Sequence, residues 1–154
     1  MGTFNFKSVG KTVEQSISSL SSSAPPVGIK TPLEIGFNEG IFAMHFNNAN
    51  QVHDNLRNLL LTNWGERPVH YKLGANLRQL TTEYVSQDDF DTAAIANIRD
   101  TVNKWMPYVD LEDFTSVVDH HDNKNTAIIR ITITYNVSAL NVKGKKLQIV
   151  MYVI

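Results

Sequence analysis

Helical and strand periodicities occupy different stretches of this sequence, which predicts an α+β fold. Two main helices pack on a small β-sheet formed largely by C-terminal strands, after an extended N-terminal arm. Three observations carry that expectation. Apolar residues recur at helical spacing at Val52, Leu56, Leu59 and Leu60, and again at Phe90, Ala94, Ile95, Ile98, Val102 and Trp105. Strict alternation follows at Ala127, Ile129, Ile131, Ile133, Tyr135 and Val137. Serine and proline, by contrast, dominate residues 16–26 within the leader. With 154 residues the chain suits one folded domain, residues 41–154, with enough length to bury a core without disulfides or metal.

The arm spans residues 1–40. Ser16, Ser18, Ser19 and Ser21 to Ser23 lead into Ala24-Pro25-Pro26, and two consecutive prolines fix φ and lack N–H donors. Phe4, Phe6, Val9, Ile17 and Leu20 are apolar residues that a purely solvated tail does not need, so the arm is expected to dock on something. Residues 41–46 read as a short strand, bounded by Gly40 and Asn47-Asn48. Asparagine there supplies a side-chain oxygen to the free amides at the head of a helix running to about Thr62.

Asn63-Trp64-Gly65 breaks the helical period, and one or two helical turns follow from Ala75 to Leu80, with Leu77 and Leu80 inward. Ser86-Gln87-Asp88-Asp89 reads as a capped, acidic entry to a second long helix that Pro107 stops near Trp105. The period then changes to two, beginning at Val109 and Leu111 and continuing over 127–137. The polar stretch Asp119 to Asn125 reads as a hairpin-like loop, and a turn at Lys143-Gly144-Lys145 precedes a last strand, Leu147 to Ile154. That apolar strand is either buried on both faces or an edge that pairs with a neighbouring subunit.

Lysine plus arginine (14) nearly balances aspartate plus glutamate (15), so no general field favours nucleic acid or an anionic membrane. Cysteine is absent, which excludes disulfides and thiolate metal sites. No apolar run approaches the length of a membrane span, and the N-terminus lacks a signal-peptide core, so a soluble, unexported protein is expected. His120-His121 with Asp119 and Asp122 is a poor metal set, because neighbouring residues point to opposite sides. His45, His53 and His70 stand singly and suit structural hydrogen bonds. A hydrolase would need two carboxylates across the scissile bond; Glu66 with Asp54 is the pair available, and Glu66-Arg67 fits a turn better. No nucleophile elbow or phosphate-binding glycine loop is present. No catalytic, cofactor or metal residue is therefore assigned.

The order of an apolar helix, Leu60-Leu61-Thr62, Gly65-Glu66-Arg67-Pro68, the aromatic Tyr71, then Gly74-Ala75-Asn76-Leu77 resembles the baseplate wedge and sheath-initiator family of contractile phage tails. That family has relatives in type VI secretion baseplates, and the resemblance covers residues 50–154. It implies a non-enzymatic virion component of the tail baseplate, assembled in the host cytoplasm in multiple copies around a ring. The implied partners are the tail sheath protein, other baseplate wedge proteins, and a tail tube or hub nearby; no nucleic acid, membrane or cofactor is implied. Strand exchange with the first ring of sheath would give the terminal strand its work, through Leu147, Ile149, Met151 and Val153.

Many relatives carry Glu-Pro-Arg at the end of the second long helix. Here Met106 and Tyr108 flank Pro107 instead, so either an apolar and aromatic contact through Trp105, Met106, Pro107 and Tyr108 is expected in place of a charged one, or Trp105 and Tyr108 simply pack the helix end against the sheet. Two other classes of function stay open on the residues alone: a peptidoglycan-degrading lysozyme using Glu66, and a soluble regulatory binding module.

Overall fold

A computed structural model describes residues 25–36, 41–83, 86–120 and 127–153, and the chain divides into two compact units between Gln51 and Val52. In the first unit β1 (Gly28–Ile29) pairs antiparallel with β2 (Met44–His45), and Ile35 bridges Phe42. The ladder starts just after the prolines, with the Val27 N–H donating to the His45 carbonyl at 2.7 Å. The strand expected over 41–46 is thus confined to two residues, and part of the arm is its partner. The arm's apolar residues Phe4, Phe6, Val9, Ile17 and Leu20 lie outside the described residues.

Helix α1 (Asn48–Leu61) begins as the sequence predicts, with Asn47 Oδ1 accepting from the Ala49 N–H at 2.8 Å. Its stripe is the base of the second unit's core: Leu56 and Leu60 are fully buried, Leu59 nearly so, and Val52 packs alongside. Helix α2 (Leu77–Glu83) buries Leu77 and Leu80. Helix α3 (Gln87–Trp105) adds Phe90, Ala94, Ile98 and Val102, while Ile95 and Trp105 are half-buried. Ser86 takes the extended backbone of a cap residue, but its hydroxyl makes no capping bond. The helix entry therefore rests on Asp88 and Asp89 in its first turn, whose charges complement the helix dipole. Pro107, without a donor, ends α3, and the Met106 N–H closes the last turn on the Val102 carbonyl at 2.8 Å.

Strands β3 (Asp110–His120), β4 (Ala127–Val137) and β5 (Val142–Val153) form an antiparallel sheet in the order β3-β4-β5. Alternation along β4 is realised residue for residue, with Ile129, Ile131, Ile133, Tyr135 and Val137 all buried against the helical residues in one core. Burying each such side chain stabilises the fold by about 1.5–3 kcal/mol.

Two features of the C-terminal region differ from the sequence reading. The turn before β5 is a short 3₁₀ segment, Ser138–Leu140, closed by Asn141 in the left-handed region. Lys143, Gly144 and Lys145 belong to the strand itself. Gly144 has φ +61° where the β4–β5 register shifts, and its N–H donates to the Asn136 side-chain oxygen at 2.6 Å, so the glycine marks a bulge. The possibility of burial on both faces of β5 is also corrected: Leu147 and Ile149 enter the core, whereas Gln148, Val150 and Tyr152 are exposed. Among the described residues the helices pack on one face, so alternation governs this strand despite its apolar composition. The polar loop predicted around His120-His121 has its ends in register, His120 opposite Ala127, while residues 121–126 lie outside the described residues.

Candidate protein-interaction surfaces

Three surfaces follow from the residues that the sequence singled out. The first is the outer edge of β5. Twelve residues long, it pairs with β4 on one side, in unbroken register from Ala127↔Val153 to Tyr135↔Lys145, and no strand pairs with its other side among the described residues. Of the predicted contact residues, Leu147 and Ile149 are core, each 2% exposed, and Met151 is half-buried, while the side chain of Val153 lies outside the described residues. The side chains that point outward between them are Val150 and Tyr152, 41% and 71% exposed. The alternating pattern was available in the sequence; which half faced the helices was not. β3, the opposite edge, carries Asp110, Glu112 and Asp113 around a register shift, a charged and irregular edge of the kind that discourages pairing.

The second surface is the end of α3. Met106 is buried at 5% exposure and acts as core, so the sequence expectation of a contact through its side chain is replaced by a structural role. Pro107 and Tyr108 are exposed. Trp105 lines a cleft of about 600 Å³ together with Asn58, Thr62, Arg67, His70 and Met106. His70 meets the Trp105 ring edge-on at 5.4 Å between centroids, and Lys104 Nζ lies 5.1 Å from the ring centroid. The Trp105 indole N–H is buried and has no acceptor among the described residues, an unusual state for a donor that costs energy when left unmade.

The third surface is the loop between α1 and α2, the most distinctive block of the sequence. Its geometry explains the residue types. The Glu66 carboxylate accepts from both the backbone N–H and the side-chain amide of Asn63, each at 2.8 Å. Those bonds, from the side chain first, hold the Glu66 carboxyl below its ordinary range, and the charges of Arg78 and Arg67 add to the effect. The Gly65 N–H donates to the Tyr71 carbonyl at 2.9 Å. The Gly74 carbonyl accepts from the Trp64 indole at 2.9 Å and from the Thr101 hydroxyl at 3.1 Å, which ties the loop to α3. Gly74 is required: at φ +110° a Cβ would stand 2.0 Å from the Thr62 carbonyl oxygen.

This braced frame displays Val69, which the sequence did not single out, together with the Tyr71 and Trp64 of the motif. Val69 has φ +75° and is 95% exposed; Tyr71 is 69% exposed and Trp64 45%. A β-branched residue in that backbone region costs about 1–3 kcal/mol, and no sequence pattern announces it.

Glu66 does not meet the needs of an acid catalyst. A general acid in glycoside hydrolysis needs a raised pKa, and the hydrogen bonds at Glu66 push the opposite way. Asp54 is buried, 9% exposed, rather than set across a cleft. His53 takes the structural role expected of it, with Nδ1 at 2.8 Å from the Tyr135 hydroxyl. No group of three or more metal-ligating side chains occurs among the described residues, and no described helix is long and apolar enough to cross a membrane.

The loop frame, the two long helices and the sheet up to Val142 coincide with a known family: residues 47–142 match the family described as Baseplate wedge protein gp25. The chain belongs to this baseplate wedge family. Membership makes it a structural baseplate component of the phage tail, working among other baseplate proteins. A comparison with curated proteins finds no match.

Solved structures share the wedge fold. A chain of the anti-feeding prophage baseplate, seen by cryo-electron microscopy and six-fold symmetrised, aligns with a TM-score of 0.56. It is 18% identical, over 70% of this chain and 82% of that one. A crystal structure of a candidate tail lysozyme from Geobacter sulfurreducens aligns with a TM-score of 0.52. It too is 18% identical, over 72% of this chain and 95% of that one. At such identities the likeness is one of fold.

Proposed function

We propose that this wedge protein initiates the contractile sheath: its β5 edge templates the first ring of sheath subunits by strand addition, while the end of α3 docks on other wedge proteins. The observation that carries the proposal is the long outer edge of β5, in regular register with β4 and unpaired on its far side among the described residues. Main-chain groups along such an edge supply affinity, and the outward Val150 and Tyr152 supply side-chain fit. Docking through Trp105 and Tyr108 uses an exposed tyrosine near a cleft whose indole donor lacks an acceptor among the described residues. Assembly takes place in the host cytoplasm, in multiple copies around a tail tube or hub; a chain of a baseplate symmetrised six-fold shares this fold. The protein needs no cofactor and carries out no catalysis.

Deleting Leu147 to Ile154 would not test this cleanly, because the deletion strips Leu147 and Ile149 from the core. Lysines at Val150 and Tyr152 leave the core intact and spoil the edge as natural sheets do. The wild type, co-expressed with the cognate sheath protein, is expected to bind it and nucleate sheath in electron micrographs, and Val150→Lys/Tyr152→Lys to do neither. Nucleation by the lysine variant equal to wild type would overturn the role of this edge.

The Geobacter neighbour's description prompts one check. Wild type and Glu66→Gln are expected to be equally inert on cell walls; lysis by wild type that disappears in Glu66→Gln would overturn the non-enzymatic reading.

A further inference from the structure

The loop between α1 and α2 holds the most exposed large apolar side chain among the described residues, in the left-handed backbone region. Val69 touches solvent over 95% of its surface at φ +75°, and Tyr71 two residues on is 69% exposed. Both sit inside a frame braced by the Asn63–Glu66 bonds, the Gly65–Tyr71 bond and the Trp64–Gly74 bond. A loop held this way has lost its freedom before any partner arrives, so binding through it loses little further entropy. Arg67 and Lys72 flank the two apolar residues, both exposed, with no carboxylate at salt-bridge distance among the described residues. Strained, exposed and rigidly presented, with cations on either side, this is the form of a side-chain anchor rather than of a simple connection.

We propose that the Glu66–Lys72 loop is a docking knob, with Val69 and Tyr71 inserting into an apolar socket on a neighbouring wedge protein whose rim carries carboxylates facing Arg67 and Lys72. The choice of an acidic rim follows from charge complementarity with those two cations, and the choice of a wedge protein rests on the baseplate role proposed above. The knob is separate in its residues from the β5 edge, so a protein defective here keeps its sheath-templating strand.

The test uses the full chain co-expressed with the cognate wedge proteins, followed by purification of the complex and titration of the purified partners. Val69→Asp and Tyr71→Ser are each expected to weaken wedge binding by about tenfold or more, the behaviour of an anchor residue. Arg67→Glu/Lys72→Glu is expected to slow association at low salt and to flatten its salt dependence. Val69→Gly is the control for folding. It relieves the backbone strain and is expected to melt no lower than wild type while binding as poorly as Val69→Asp.

Binding of all these variants within about twofold of wild type, the range of an indifferent surface position, would overturn the knob while leaving the baseplate role intact. A wild type that binds none of the wedge proteins would overturn the baseplate docking reading and the knob together. Normal sheath nucleation by Val69→Asp alongside lost wedge binding would support the separation of the two surfaces.

Discussion

Replacing Gly74 and Gly144 by alanine makes the same chemical change at two left-handed positions and should have very different consequences. At Gly144, φ is +61° and nothing lies within 4 Å of the place a Cβ would occupy, so only the backbone preference is lost. That costs about 1 kcal/mol. At Gly74, φ is +110° and the new Cβ would stand 2.0 Å from the Thr62 carbonyl oxygen and 2.7 Å from its carbon. Backbone strain contributes about 1–3 kcal/mol, and forced displacement of a packed backbone contributes a similar amount, about 1–3 kcal/mol. Displacement also lengthens the bonds that Trp64 and Thr101 donate to the Gly74 carbonyl, each contributing about 1 kcal/mol.

Gly74→Ala should therefore cost about 3–5 kcal/mol, at least about 2 kcal/mol more than Gly144→Ala. Urea unfolding monitored by far-UV circular dichroism reads this directly. In a unit of this size the gap corresponds to a difference in melting temperature of roughly 8 °C or more. Equal destabilisation of the two variants, within about 0.5 kcal/mol, would refute the reasoning, because the approach of Thr62 would then impose nothing beyond the sign of φ.

Other expectations follow from the partly buried His53–Tyr135 pair and the α3 end. Burial, assisted by the Asp54 charge, pushes the Tyr135 hydroxyl up to about 12 from an ordinary 10.0. Stability tied to its neutral form is complete below pH 10 and is lost as pH rises through 12, by about 2–3 kcal/mol. Tyr135→Phe should lack that alkaline loss, and an identical pH profile in the two proteins counts against it. Burial, with help from Lys145, holds the His53 imidazole below its usual 6.5. The corresponding stability is present above pH 6.5 and is lost as pH falls through the lowered value, so His53→Gln should flatten the drop in urea midpoint between pH 7 and pH 5. Trp105→Phe removes a buried donor that has no acceptor among the described residues and should change stability by no more than about 1 kcal/mol, while weakening wedge binding. A large loss of stability would show instead that the indole is a structural strut.

The sequence by itself determined the elements and their class, because local periodicity is a local property. Leu56 to Leu60, Phe90 to Val102 and Ile129 to Val137 each carry their own period, and each folded as that period required. It also determined the family, through a loop whose residue types answer to fixed geometry: Glu66 to bind Asn63, and Gly74 to pass beneath Thr62. The structure decided what depends on neighbours distant in the chain. Composition alone left β5 open to burial on both faces, but among the described residues the helices pack on one side, so Leu147 and Ile149 went in and Val150 and Tyr152 out. Gly144 looked like a turn because glycine favours both turns and bulges, and only pairing with β4 assigned it to a bulge. Met106 passed from candidate contact to core once α3 met the sheet. Val69 gave no signal at all: its backbone conformation is set by the braces around it, through hydrogen bonds spanning residues 62–76 and reaching Thr101 in α3, which only the folded chain brings together.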